Sequence, residues 1–333
     1  MISKNRKCPQ CIGLGLVAAL VVAVSAPTVQ AKQAEPATAT PAVAASTPAA
    51  SASAPTPAPP PPPYSLPWQL RPVVAANVVR SDTAVSFYEN GTENASTVAS
   101  TLLLSYKVLP KLAPLVRLAF VHNNPGTAPG SGNAVVNPLV GATYQLDLAP
   151  GLRMGLFLGV TVPIGQGGDK PAGMDSTAAA AGAGINARSA MDNALFAVNF
   201  MTVIPGFGLA YTRAGFTAQI EATFLQLTRV RNSDIERDSS RTNFTSGLHM
   251  GYFVIPQLSF GGEVRFQRWL SDPAVLTMFP NRRETLTFAV GPRAHFKLGT
   301  RWLRPGIAYA QGIDNPMKQR KDRIIQVDLP FVF

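Results

Sequence analysis

The 333-residue chain carries few side chains equipped for covalent or metal chemistry. Cys8 and Cys11 form a C-x-x-C pair, and the histidines are His122, His249 and His295. A C-x-x-C pair serves as a redox couple or as half of a zinc site, and no second cysteine pair exists to complete the latter. No H-x-x-H spacing, carboxylate cluster or serine motif accompanies the histidines, so no catalytic set, metal or cofactor is expected. What remains are dispersed charges: Arg117, Asp147, Arg153, Glu221, Glu263, Arg265, Arg293, Lys297, Arg304 and Asp328. Their chemistry depends on where the elements that carry them make them point.

Both cysteines fall in an amino-terminal segment that is expected to be discarded. Lys4, Arg6 and Lys7 precede an apolar run from Ile12 to Val24, which is followed by small residues up to Ala31. This order is that of a secretory signal peptide over residues 1–31, and the apolar run is shorter than the roughly 20 residues a spanning helix needs. Cys11 precedes the apolar run instead of ending it, which argues against a lipoprotein. Lys32 to Pro63 is almost wholly Ala, Pro, Ser and Thr and ends in five consecutive prolines, a composition that builds no core and favours an extended chain. Residues 32–71 are therefore read as a periplasmic tether, a plain spacer or a contact to the cell wall, and 72–333 as the folded domain.

Removing residues 1–31 takes away three of the 29 Lys and Arg residues and no acid, which leaves 26 basic against 18 acidic and a formal charge of +8. The basic residues are scattered and no nucleic-acid-binding motif accompanies them, so nucleic acid is not an expected partner. Charged residues make up 14% of the chain, well below the quarter usual for soluble domains, so much of the surface should face something other than water.

From Val73 onward, short stretches alternate apolar with polar or small residues, which in a strand places one face in an apolar medium and the other in a polar one. In the last stretch Ile325, Val327, Leu329, Phe331 and Phe333 share one face, with Gln326 and Asp328 on the other. Leu286, Phe288, Val290, Ala294 and Phe296 repeat the pattern, as do Leu152, Met154, Leu156, Leu158, Val160 and Val162, where Phe157 is the exception. Twelve strands are expected, at 73–88, 96–108, 112–123, 134–148, 152–163, 206–213, 216–228, 242–254, 257–270, 284–298, 301–311 and 322–333. The alternation falters near Val79 and at Phe224–Leu225. Short connections (109–111, 149–151, 214–215, 255–256, 299–300) alternate with long ones (89–95, 124–133, 164–205, 229–241, 271–283, 312–321).

Such a chain resembles Gram-negative outer-membrane β-barrel proteins over residues 73–333, most specifically in its terminal strand ending on Phe333. The resemblance implies a closed antiparallel transmembrane β-barrel in the bacterial outer membrane. Its partners would be lipid and lipopolysaccharide outside and the barrel-assembly machinery, for which Phe331 and Phe333 would be the signal. The Pro-bearing turns at 109–111, 149–151 and 255–257 and the stretch Gly159 to Gly165 are also similar to a transporter family associated with phenol-degradation pathways. A soluble β-sandwich or lipocalin-like barrel is disfavoured, because Gly, Thr and charges on the face opposite the large residues would make a poor core.

In such a barrel the ten charges named above face the lumen, six basic and four acidic. They form either a ladder mildly favouring anions or paired braces across a narrow interior. Tyr106, Tyr144, Tyr252 and Tyr309 fall outward near strand ends, as an aromatic girdle would, whereas Trp302 has the opposite parity. The long loop 164–205 is expected to fold back and narrow the pore, with a short helix and a contact to an apolar solute, or else to form a lid on the outer rim or an early start to the short sixth strand. The expected function is a porin-like passive channel for small solutes, apolar or anionic. The alternatives are a structural or adhesive barrel with a plugged lumen, and a lipid hydrolase of the kind some outer-membrane barrels are. The hydrolase lacks support, because His249 and His295 are expected in the lumen away from the outer lipid surface.

Overall fold

The computed structural model describes residues 64–333; the expected signal peptide and the expected tether as far as Pro63 lie outside the described residues. The chain forms one antiparallel sheet closed on itself, in which β1 (Val78–Asn90) pairs with β15 (Arg323–Val332) over ten residue pairs from Val78↔Val332 to Phe87↔Arg323. Between them run β2 (Glu93–Ser105), β3 (Leu112–Asn124), β4 (Gly132–Val135), β5 (Leu139–Ala149), β6 (Leu152–Thr161), β7 (Phe200–Arg213), β8 (Phe216–Arg229), β9 (Ser240–Ile255), β10 (Leu258–Trp269), β11 (Glu284–Ala294), β12 (Phe296–Leu298), β13 (Arg301–Leu303) and β14 (Gly306–Gly312). These fifteen segments make twelve staves, because β4 with β5, β11 with β12, and β13 with β14 are each one stave interrupted. Two interruptions contain a proline, Pro138 and Pro305, which has no N–H to donate to a ladder.

The wall has the expected two faces. Leu156, Leu158, Val160, Ile325, Val327 and Leu329 are exposed on the outside, while Gln326 and Asp328 are buried within. Pairing of β1 with β15 leaves neither end of the described sheet as a free edge, the condition for strands in lipid, and the apolar exterior meets the acyl chains. Tyr106, Tyr144, Tyr252 and Tyr309 lie outward, as expected.

Three boundaries differ from expectation, each for a local reason. The connection between the first two staves is not long: Asn90 pairs with Glu93 across Gly91 and Thr92, with Gly91 at φ +66°, the glycine position of a two-residue hairpin turn. The sixth stave begins at Phe200 and not at 206, so the long loop spans 162–199; Met201 and Val203 alternate outward against buried Thr202 and Ile204. The first stave begins at Val78 and not at Val73. Residues from Tyr64 to Asn77 make no ladder and lie inside the barrel, so the inner chain includes positions 64–71 that composition had grouped with the tether.

The barrel has room for this inner segment because glycines line its wall. A Cβ on Gly155 would stand 2.9 Å from the Cα of Val73, and one on Gly208 would stand 2.9 Å from its Cγ1. These two glycines pair across β6 and β7, and Val73 is buried against them. Phe157, the exception to the alternation of its strand, points inward and holds the Arg71 guanidinium 4.4 Å from its ring centroid.

Replacing Gly155 by Val should therefore leave the twelve staves intact but lift the inner segment off the wall. Heat-modifiable gel mobility should persist, and chymotrypsin should now cleave after Trp68, where the wild type resists.

Candidate functional site

Inside a barrel, a segment without regular structure must find partners for its peptide groups, since an unpaired buried N–H or C=O is costly. The wall supplies them. Ser65 N donates to Thr217 Oγ1 at 2.9 Å, Arg71 N to Glu221 Oε2 at 2.5 Å and Ala75 N to Gln145 Oε1 at 3.0 Å. Glu263 accepts from the backbone N–H groups of Trp68 and Gln69. Arg293 Nε donates to Leu66 O at 3.1 Å, Arg80 Nη2 to Pro67 O at 3.0 Å and Gln219 Nε2 to Arg71 O at 2.7 Å. Between these anchors Trp68 and Leu70 are buried.

From the opposite end the long loop folds inward. Its helix α1 (Ser176–Ala187) is capped by Asp175, which accepts from Thr177 N and Ala178 N at 2.9 and 3.0 Å. The helix lies inside the wall, so the side it presents is small. Ala180, Ala181 and Ala187 pack with Val121, Ala134 and Val136, joined by Leu195 and Phe196 of the one-turn helix α2 (Asn193–Phe196). Burying Leu195 and Phe196 contributes about 1.5–3 kcal/mol each to holding the loop in place. Asn137, at the gap between β4 and β5, fastens the loop by donating to Ala197 O and Phe200 O and accepting from Gly165 N.

The two intrusions meet at Arg188, the residue after α1, which is 0% exposed. Its guanidinium donates to Asp82 Oδ1 and Oδ2 at 2.7 and 2.8 Å and to Asp192 Oδ2 at 3.0 Å, while its carbonyl accepts from Gln69 Nε2 of the inner segment at 2.7 Å. Asp192 also accepts from Arg117 at 2.5 and 2.8 Å. Arg265 Nη1 donates to Ser189 Oγ and Nη2 to Gln326 Oε1, and Gln326 donates to Asp82. Burial opposes ionisation of Asp192, but Arg117 and Arg188 outweigh it and hold the carboxyl below the usual carboxylate range.

Of the ten charges expected in the lumen, eight lie in this interior or line its cavity. Arg117 binds Asp192; Glu221 binds Arg71; Glu263 and Arg265 bind each other at 2.8 Å; Arg293 forms two bonds to Asp328 at 2.6 and 3.0 Å; and Arg304 lines the lumen. Asp328 takes Arg293 and Arg80 as partners and not Arg304, because Gly306 stands between Arg293 and Asp328 on the wall and leaves space for them to reach each other. Arg153 lines the cavity and pairs at 3.5 Å with Asp147 on the rim, where Asp147 is half exposed. Lys297 does not enter the lumen: it stands exposed beside the turn at Gly299, beyond the end of the enclosed space. Sequence reasoning missed Arg71, Arg80, Asp82, Arg188 and Asp192. Arg80 and Asp82 begin a clean alternation with Ala84, Ser86 and Tyr88, all buried, which was hidden by running the strand back through Val73.

Alongside the inner segment lies a cavity of about 850 Å³. One side is apolar, with Leu103, Leu115, Leu139, Phe157, Ile204 and Leu225; the other reaches the short-turn rim past Phe253, Ile255, His295, Trp302 and Arg304. Trp302, whose parity did not suit the girdle, lines this interior. Among the described residues no group of three or more potential metal ligands occurs.

Breaking the Arg188–Asp82 contact with Arg188→Ala leaves a buried carboxylate short of its partner, a loss of about 3–5 kcal/mol. Amide exchange in α1 should accelerate by on the order of a hundredfold or more, while the staves stay protected. Because Asp192 is depressed in the folded state, its contribution is complete above its unfolded value of about 3.9 and is lost as pH falls through the folded value. Loop protection should therefore be flat from about pH 8 to 5 and decline only in stronger acid, as read by exchange corrected for intrinsic rates.

No protein-family model matches the chain, and no curated protein matches it. Solved structures do. The COG4313 outer membrane channel from Pseudomonas putida F1 is 15% identical, covering 80% of this chain and 98% of that one, with a TM-score of 0.51. The NanC porin is 10% identical, covering 75% and 98%, at a TM-score of 0.46. The KdgM porin in complex with disordered oligogalacturonate is 8% identical, covering 77% and 99%, at 0.44. At these identities the likeness is one of fold, and the chain has the architecture of an outer-membrane β-barrel.

Proposed function

We propose that the protein is a passive outer-membrane channel for small solutes, held shut in the described state by two intrusions in series, the inner segment from the periplasmic end and the long loop from outside. The observation that carries this reading is the cavity of about 850 Å³, which runs beside the inner segment to the periplasmic rim and is not filled by side chains. A barrel built only as a brace would be expected to fill its interior with side chains at the close packing usual of protein cores, and this one does not. The apolar wall from Leu103 to Leu225 favours solutes with apolar character. That agrees with the resemblance of the Pro-bearing turns and the stretch Gly159 to Gly165 to transporters associated with phenol-degradation pathways, a relationship that rests on those short patterns alone.

The plugged structural barrel is the second reading, favoured by the density of ion pairs: a charge ladder needs unpaired groups, and most lumen charges here are paired. A catalytic reading has one contact to consider, Ser259 Oγ to His295 Nε2 at 2.8 Å. Ser259 is buried and no carboxylate bonds to His295 among the described residues, so the pair lacks an orienting acid and an accessible nucleophile. Phe331 and Phe333, at the end of the closing stave, remain our proposed assembly signal.

Two constrictions in series predict a specific pattern in planar bilayers. Loosening one, by Arg188→Ala or by Gly155→Val, should raise conductance modestly because the other still limits flow. The double variant should exceed the sum of the two increments. A double variant as silent as the wild type would favour the structural barrel.

A further inference from the structure

One charge in the lumen is left over. Asp328 serves Arg293 and Arg80, Glu263 serves Arg265, Asp192 serves Arg117 and Arg188, and Glu221 serves Arg71. Arg304 lines the same cavity, yet no carboxylate lies within ion-pair distance of it among the described residues. Its Nη1 reaches the carbonyl of Tyr64 at 3.5 Å, its buried Nε has no partner, and the neighbouring Arg293 donates to its carbonyl at 2.8 Å. An inward cation beside a second cation, in a space only partly open to water, is unfavourable unless an anion completes it.

The surroundings specify what else that anion carries. The Trp302 ring centroid lies 5.1 Å from the Arg304 guanidinium carbon. The rings of Phe253 and His295 face each other at 4.5 Å and 37°. Ser259 holds His295 through Nε2, which leaves Nδ1 without a protein partner among the described residues. All three rings line the cavity with Arg304. The approach is electropositive: Lys107, Lys111, Arg213, Lys297 and Arg301 are exposed at this end of the barrel, with Asp147 as the acid among them. Such a rim raises the local concentration of anions.

We propose that this corner of the cavity is a binding site for a small organic monoanion with a flat apolar body. Its carboxylate sits on the Arg304 guanidinium in the two-pronged geometry that suits this pair, and its body lies among Trp302, Phe253 and His295. The site deepens the channel reading by naming a solute class, and it rests on that reading only for how the ligand is delivered; binding itself requires no conduction.

The test uses benzoate as probe on the purified, detergent-solubilised protein, followed by calorimetry and by tryptophan fluorescence. The wild type should bind benzoate saturably. Benzyl alcohol, which keeps the ring without the charge, and acetate, which keeps the charge without the ring, should each bind at least about tenfold more weakly. Arg304→Gln should weaken benzoate about tenfold or more, Arg304→Lys should retain much of the binding, and Trp302→Ala should weaken benzoate more than acetate. Heat-modifiable mobility reports folding of each variant; should Arg304→Gln fail to fold, the analogue series and Trp302→Ala decide. Absence of saturable binding, equal binding of benzyl alcohol, or an Arg304→Gln variant that binds like the wild type overturns the site. Benzoate binding by a protein that never conducts would overturn the channel reading and leave the site standing, and conduction without benzoate binding would do the reverse.

Discussion

Everything in this molecule answers to the cost of an unpaired peptide group away from water. In the wall the requirement is met by closing the sheet, β1 onto β15, so that no edge faces lipid. In the lumen it is met differently, because Tyr64–Asn77 has no ladder of its own. Glu221, Glu263, Gln145 and Thr217 accept from its N–H groups, and Arg80, Arg293 and Gln219 donate to its carbonyls. Charges that would otherwise be read as a lining for ions are thereby explained as the hydrogen-bond complement of a strandless chain, and their pairing follows from having to be dry and satisfied at once.

The same constraint explains the small residues. Glycine on the inner face of β6, β7 and β9 and alanine on α1 belong to a wall and a helix that must approach other backbone closely. Gly247 lies against Leu70 as Gly155 lies against Val73. Large residues on the lipid face and small ones on the inner face thus make a barrel that looks open in cross-section and is occupied in fact.

How much of this could be read in advance divides along one line. The period-2 pattern depends on each residue's own medium, so the twelve staves, the outward faces of β6, β11 and β15 and the inward parity of Trp302 were legible. Partners across the lumen depend on contacts between distant segments, and they were not. Nothing local marks Arg188 and Asp192 as belonging inside, since they lie in a loop, and the Pro-rich composition before Tyr64 concealed that Leu66, Trp68 and Leu70 form an alternating apolar set with a destination. The tight turn at Asn90–Gly91 was legible in principle and lost by ending the stave at Tyr88. Lys297 was misplaced because parity gives direction and says nothing about height along the barrel.

The seam has a temporal side. β1 and β15 are neighbours in space but lie nearly the full length of the described chain apart, so their pairing closes the largest loop and is expected to come late. The inner segment is joined to β1 at Val78 with no intervening linker, and Phe333 donates its N–H to the carbonyl of Asn77 at that junction. The point where the chain turns indoors is thus also the point where the cylinder is sealed, so whatever draws the first and last staves together acts at the doorway of the inner segment.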